Sequence, residues 1–194
     1  LSRDYAIWIG KFEDDLTFVD EVTVDGPTTK EDKGYGIVFD GTDTLFVTGT
    51  MVETDEGQKI WMGKLDTDLG ILDQYTINGP VDGEDVAYLM QMGSSGRFYQ
   101  TGTYTENVGG TNVWLARYGP SMNLEAWATL DGPAGSYDTG IGVAVGKNND
   151  LYVSAIVSDP MEGLNIWLGR FDVTTIFIDG FEKGDTTNWT NTAQ

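Results

Sequence analysis

The sequence predicts an all-β fold assembled from a four-stranded antiparallel unit repeated along the chain. Three observations predict it. The first is a gapless register of 53 residues, in which Trp8, Trp61, Trp114 and Trp167 recur together with the bases Lys11, Lys64, Arg117 and Arg170. The turns "DGP" (25–27), "NGP" (78–80) and "DGP" (131–133) keep this register, followed by Asp32, Asp85 and Asp138 and by the pairs Thr48-Gly49, Thr101-Gly102 and Ser154-Ala155. The second is that each period holds four short β-branched and aromatic runs separated by turn-formers. The third is composition: 26 of 194 residues are glycine, and few stretches follow helical spacing. Four short strands in a unit of this length is the pattern of a β-propeller blade.

Taken in order, the chain begins with strand-like runs over 5–12 and 16–24, which by register are the third and fourth strands of a unit. A whole unit follows, its first strand marked by "GYGIVF" (34–39). The next whole unit reads "VAYLMQM" (86–92), "RFYQTGTYT" (97–105), "NVWLARY" (112–118) and "LEAWATL" (124–130). A further unit opens on "TGIGVAVG" (139–146) and supplies its first three strands. The first run of each unit is richest in small residues, as a crowded inner strand requires, so the runs are designated A to D from the inside outward. Side chains alternate faces along a strand. Trp61, Gly63 and Leu65 therefore share one face of strand C, opposite Met62 and Lys64. A large ring beside a glycine predicts packing against the neighbouring unit.

The strands add up to about three and a half blades over residues 1–175, with 176–194 as a C-terminal segment. Closed propellers use 4–8 blades. An open set would leave sheet edges and a tryptophan face uncovered. The expectation is that the ring is completed by further blades of a longer chain, favoured by the start in mid-unit, or by a second copy.

Composition narrows the chemistry. With 11 basic against 31 acidic residues the formal net charge is −20, which repels nucleic acid and anionic membranes and favours cations and basic partners. There is no Cys and no His, so disulfides, the usual zinc sites and a Ser-His-Asp arrangement are excluded within this sequence. Calcium, held by oxygen ligands, is the natural metal guest if there is one. No apolar run is long enough to span a membrane.

The repeat resembles that of WD-repeat propellers, in which a D–A loop residue, a strand B hydroxyl and the strand C tryptophan are hydrogen-bonded together. That resemblance implies the trios Asp32–Thr48–Trp61, Asp85–Thr101–Trp114 and Asp138–Ser154–Trp167. An acid stands where that family has histidine, and the period exceeds the family's usual ~40–45 residues. Closer is a looser bacterial group of secreted propeller repeats with units like "W-x-x-K-x-D-x-D-G … D-x-A … G-x-T". The tail "IFIDGFEKGDTTNWT" (176–190) resembles the "DGFESGDTSxWS" segment that closes many secreted proteins of Gram-negative bacteria. The resemblance implies an exported, extracellular bacterial protein. By register, Phe177 and Asp179 match Ile71 and Asp73, so the same segment also reads as a last outer strand.

Asp32, Asp85 and Asp138 are the candidate metal ligands, because three equivalent D–A loops would place them around one mouth of an axial channel. The competing expectation is that each braces its own unit, since features repeated in every blade usually serve the fold. Lys11, Lys64, Arg117 and Arg170 are expected to neutralise carboxylates at blade edges. "DTDLGILD" (66–73) has partial calcium-loop spacing but lacks the closing glutamate, and reads as a hairpin turn. Trp127 departs from its register mates Glu21 and Gln74 and is the candidate ligand or partner residue, able to stack on a sugar ring or seat a partner. The function these residues predict is a secreted or cell-surface non-catalytic binding or scaffold module for a protein, a glycan or calcium. The alternative is a carbohydrate-active enzyme, a glycoside hydrolase or lyase, using Asp85 with Tyr88 or Asp32 with Tyr35 at the channel mouth. A raised carboxyl pKa there would favour it.

Overall fold

The computed structural model describes residues 5–53, 57–107, 110–147 and 150–172, and among them every regular element is a strand. The C-terminal segment 176–194, with its export-like sequence and the register of Phe177 and Asp179, lies outside the described residues. Four antiparallel sheets follow one another along the chain. The first pairs β1 (Ile7–Phe12) with β2 (Phe18–Val24). The second is a meander of β3 (Lys33–Phe39), β4 (Thr44–Met51), β5 (Lys59–Asp66) and β6 (Ile71–Ile77). The third repeats that order with β7 (Val86–Met92), β8 (Phe98–Asn107), β9 (Gly110–Tyr118) and β10 (Leu124–Leu130). The fourth holds β11 (Thr139–Val145), β12 (Asp150–Asp159) and β13 (Gly163–Asp172). The sequence runs at 86–92 and 124–130 coincide with β7 and β10 residue for residue.

The second and third sheets each bury one face against the sheet before and the other against the sheet after, and the first and fourth sheets each pack on one neighbour. Ile7 and Ile9 of the first sheet pack with Val47, Trp61, Leu65 and Leu69 of the second. Phe46, Ile60 and Met62, on the opposite side of the second sheet, pack with Phe98, Trp114, Tyr118 and Met122 of the third. Tyr99, Val113 and Leu115 then meet Leu151, Val153, Ala155 and Trp167 of the fourth. Side-chain alternation along strand C thus divides its residues between two interfaces, as the period-2 reading of Trp61 and Met62 requires. Trp61 and Trp114 are fully buried. Removing a ring of this size from water contributes roughly 4–6 kcal/mol of transfer free energy. The inner strands β3, β7 and β11 lie next to one another, so the sheets are arrayed with their A strands on the same side.

Three local devices recur in register. Strand A carries a bulge in each of the last three sheets: the pairing slips between Gly34 and Gly36, between Ala87 and Leu89, and between Gly140 and Gly142. Tyr35, Tyr88 and Ile141 are the extra residues, released from the ladder. The C–D hairpins turn through Leu16, Leu69 and Met122, each with positive φ (67°, 63° and 65°). Leu69 and Met122 are buried against the preceding sheet, which offsets a backbone conformation costing an ordinary residue about 1–3 kcal/mol. "DTDLGILD" is this turn: Asp66 Oδ1 accepts the amides of Asp68 (3.0 Å) and Gly70 (2.8 Å).

The third device is the glycine two residues after the tryptophan. A Cβ at Gly10, Gly63 or Gly169 would collide with the six-membered ring of Trp8, Trp61 or Trp167, which lies against that glycine. The third sheet has Ala116 there, and its tryptophan is held differently. Trp8 Nε1 donates to Glu21 (2.6 Å) and Trp61 Nε1 to Gln74 (3.2 Å), both on strand D. Trp114 Nε1 instead donates inward to Gln100 Oε1 (3.2 Å), which also accepts from the Tyr118 hydroxyl (2.8 Å). Gln100 Nε2 completes the buried set by donating to Thr48 Oγ1 of the second sheet (2.6 Å).

Candidate functional site

Asp32, Asp85 and Asp138 occupy equivalent places at the entry to strand A, and all three side chains are buried. Each carboxylate accepts one amide from its own turn and one from the exit of its strand B. For Asp32 these are Gly26 N (2.6 Å) and Val52 N (2.8 Å). For Asp85 they are Gly79 N (2.5 Å) and Thr105 N (2.7 Å). For Asp138 they are Gly132 N (2.5 Å) and Ser158 N (2.6 Å). Each aspartate's own amide donates to the preceding sheet, at Tyr5, Gln58 and Thr111 O respectively. One residue therefore ties a turn, a strand end and the neighbouring sheet together. In the first two trios expected from the WD resemblance the groups bond elsewhere: Thr101 Oγ1 donates to Trp114 O, and the indoles of Trp61 and Trp114 donate to Gln74 and Gln100. The reason is geometric, because backbone amides reach the buried carboxylate first. Burial raises the pKa of Asp32 and Asp85 against the opposing pull of those amides. Among the described residues no three acidic side chains converge as a metal-binding group.

The four repeated bases have different partners. Lys11 Nζ crosses to the next sheet's hairpin, donating to Thr67 O (2.9 Å) and Asp68 Oδ1 (3.4 Å). Arg117 pairs with Glu125 and Arg170 with Asp150. Lys64 lies over the Phe46 ring, 5.8 Å from its centroid. Trp127, on β10, is half exposed and forms the outer layer of an aromatic stack. Its centroid lies 5.3 Å from that of Trp114 and 5.6 Å from that of Tyr104.

The arrangement best suited to a ligand lies where the A strands meet the preceding turns. The bulged Tyr35 and Tyr88 bring their ring centroids to 4.9 Å. Burial, then the neighbouring Tyr137, Glu84 and Tyr35, push the Tyr88 hydroxyl up to about 12. Glu84 also acts on Tyr137 and on Lys33, and Lys33 Nζ sits 2.7 Å from Glu31. Beside this cluster runs an open groove of about 410 Å³ lined by Lys30, Glu31, Gln58 and Glu84, with Gly57 and Gly83 at its walls. The tyrosines do not line this groove; Glu84, which acts on Tyr88 and Tyr137, and Glu31, which pairs with Lys33, are the residues that connect the two. Sequence reasoning reached Tyr35 and Tyr88 only as bases beside Asp32 and Asp85, and missed Glu31, Glu84 and Tyr137. Their signal was available: 31, 84 and 137 are register mates one residue before the repeated aspartate, polar in every unit.

The chain matches no protein-family model and no curated protein.

Proposed function

We propose that this protein is a non-catalytic binding module of β-propeller type, exported from a Gram-negative bacterium, and that its ligand is a neutral glycan. The observation that carries the reading is the pairing of Tyr35 and Tyr88, released by bulges in adjacent inner strands beside Glu31 and Glu84. Aromatic faces stack on the C–H faces of pyranose rings, and the carboxylates and the amide of the adjoining groove accept and donate to vicinal hydroxyls. The net charge of −20 disfavours anionic polysaccharides and favours neutral ones. Propeller architecture is supported by four-stranded meanders stacked in sequence order with adjacent A strands. Export rests on the resemblance of residues 176–190 alone.

The enzymatic alternative draws on one specific observation, the raised carboxyls of Asp32 and Asp85. Both side chains are buried with both oxygens taken by backbone amides, so a substrate oxygen has no route to them. A general acid must come within about 3 Å of the atom it protonates.

The test is affinity electrophoresis of the purified chain in gels containing a neutral xylan, glucan or mannan, with a reducing-sugar assay alongside. Retardation by a neutral polysaccharide, weakened at least about 10-fold by Tyr35→Ala with Tyr88→Ala, is expected. Absence of retardation, or retardation indifferent to both substitutions, overturns the reading. Release of reducing ends abolished by Asp85→Asn moves it to the enzymatic alternative.

A further inference from the structure

Trp127 stands where the first and second sheets carry Glu21 and Gln74. One side of its indole is fixed, stacked on Trp114 with 24° between the planes and tilted against Tyr104. Both supporting rings are buried, so the platform they hold is rigid. The rest of the side chain is open, leaving Trp127 48% exposed. Its N–H also differs from those of the strand C indoles. Trp8, Trp61 and Trp114 each donate Nε1 to a side chain of their own sheet, at Glu21, Gln74 and Gln100. Among the described residues Trp127 Nε1 has no acceptor, which keeps it for water or a ligand.

A polar frame lies beside the platform. Thr129 is two residues along the same face of β10, and its Oγ1 donates to Glu106 Oε1 (2.7 Å). Asn112 Nδ2 donates to Glu106 Oε2 (2.8 Å). A carboxylate has about four lone-pair sites, so Glu106 keeps capacity for further donors. All three residues are half-buried. The second sheet builds the same frame from Thr76, Glu53 and Lys59, but holds Gln74 at the platform position, where it accepts from Trp61. The frame thus recurs as a fold feature, and the ring beside it is the departure. A flat apolar face edged by an N–H, a carboxylate, an amide and a hydroxyl matches a pyranose, which has an apolar C–H face and a rim of hydroxyls. An apolar peptide side chain would leave those polar groups without partners. We infer that the outer rim of the third sheet is a second sugar site, where one unit of a neutral glycan stacks on Trp127 and bonds to its Nε1 and to the Glu106–Asn112–Thr129 frame. β10 and β7, which carries Tyr88, are opposite edges of that sheet, three strand spacings or about 14 Å apart. A polysaccharide touching both places gains avidity. The inference rests on the glycan reading for its ligand class and shares no residue with Tyr35 and Tyr88.

Titration calorimetry of the full 194-residue chain with xylohexaose, cellohexaose and mannohexaose tests it. The chains compared are the wild type, Tyr35→Ala with Tyr88→Ala, and each of these with Trp127→Gln or Trp127→Phe; circular dichroism and urea midpoints establish that each is folded. The double-tyrosine variant is expected to keep binding one of the three sugars. Trp127→Gln, which installs the residue of the second sheet, should weaken that binding at least about 10-fold. Trp127→Phe keeps an apolar ring without the N–H and should weaken it about 3-fold. No binding by the double-tyrosine variant, or binding indifferent to both Trp127 substitutions, overturns the inference and leaves the tyrosine pair as the site. Binding lost with Trp127→Gln and untouched by the tyrosine substitutions upholds the inference and overturns the role of the tyrosines. A wild-type chain that binds none of the three overturns the inference together with the glycan reading.

Discussion

At the scale of single residues, the tryptophan of strand C is one side chain with two solutions. At Trp8 and Trp61, where a glycine follows two residues later, the indole lies against it and bonds outward to Glu21 or Gln74; where Ala116 stands, the Trp114 indole bonds inward to Gln100. The change is concerted. Relative to the second sheet, the third replaces Val47 by Gln100, Gly63 by Ala116, Leu65 by Tyr118 and Gln74 by Trp127. This explains why Trp127 departs from its register mates: strand D no longer has to accept the indole N–H, and its ring covers Trp114 instead. Gly63→Ala is accordingly expected to destabilise the chain by about 1–3 kcal/mol, the usual cost of overpacking a core. In a Trp61→Leu background the same substitution should cost under about 1 kcal/mol, since the ring it meets is gone. Urea denaturation of the four variants forms the cycle that checks this coupling.

At the scale of the element, what holds a strand in place is its end. Asp85 serves the turn before β7, the exit of β8 and the strand entry of the preceding sheet. An asparagine has one acceptor oxygen for two converging amides, so Asp85→Asn leaves a buried N–H unpaired and should cost about 1–3 kcal/mol. Because burial raises the folded-state pKa of Asp85, its linked stability is complete below the unfolded carboxylate pKa and is lost as pH rises through the folded value. The deficit of the variant should thus be larger at pH 4.5 than at pH 7.5, read from urea midpoints at each pH. A deficit growing with pH would mean that the amide bonds outweigh burial and that the direction assigned here is wrong. The elements themselves were legible: a four-run unit with glycine-rich first strands marks out the meanders because alternation and turn residues act locally. The braces and the paired tyrosines were not. A carboxylate's sequence position does not tell whether water, metal or an amide 20 residues further on is its partner, and a bulge such as that at Tyr88 follows from register between strands rather than from the residues of one.

At the scale of the whole molecule, the dominant fact is a net charge of −20 on 194 residues. Self-repulsion of this size works against the compact state, and mobile ions screen it over about 8 Å at 0.15 M. Raising sodium chloride from 0.01 to 0.15 M should therefore stabilise the chain; each 1 kcal/mol gained is read as a rise of about 2–4 °C in Tm for a domain of this length. The same experiment separates diffuse charge from a built calcium site. The carboxylates of Asp32, Asp85 and Asp138 are engaged by backbone amides, which leaves screening as the way divalent ions act on them. Calcium and magnesium at equal ionic strength should then raise Tm equally. A calcium-specific gain would follow RT ln(1 + [L]/Kd) and grow with concentration beyond the screening plateau. It would show that oxygen ligands gather around the ion in a way the braced aspartates do not by themselves provide, and the acidic turns would then be a binding element as well as the joints between sheets.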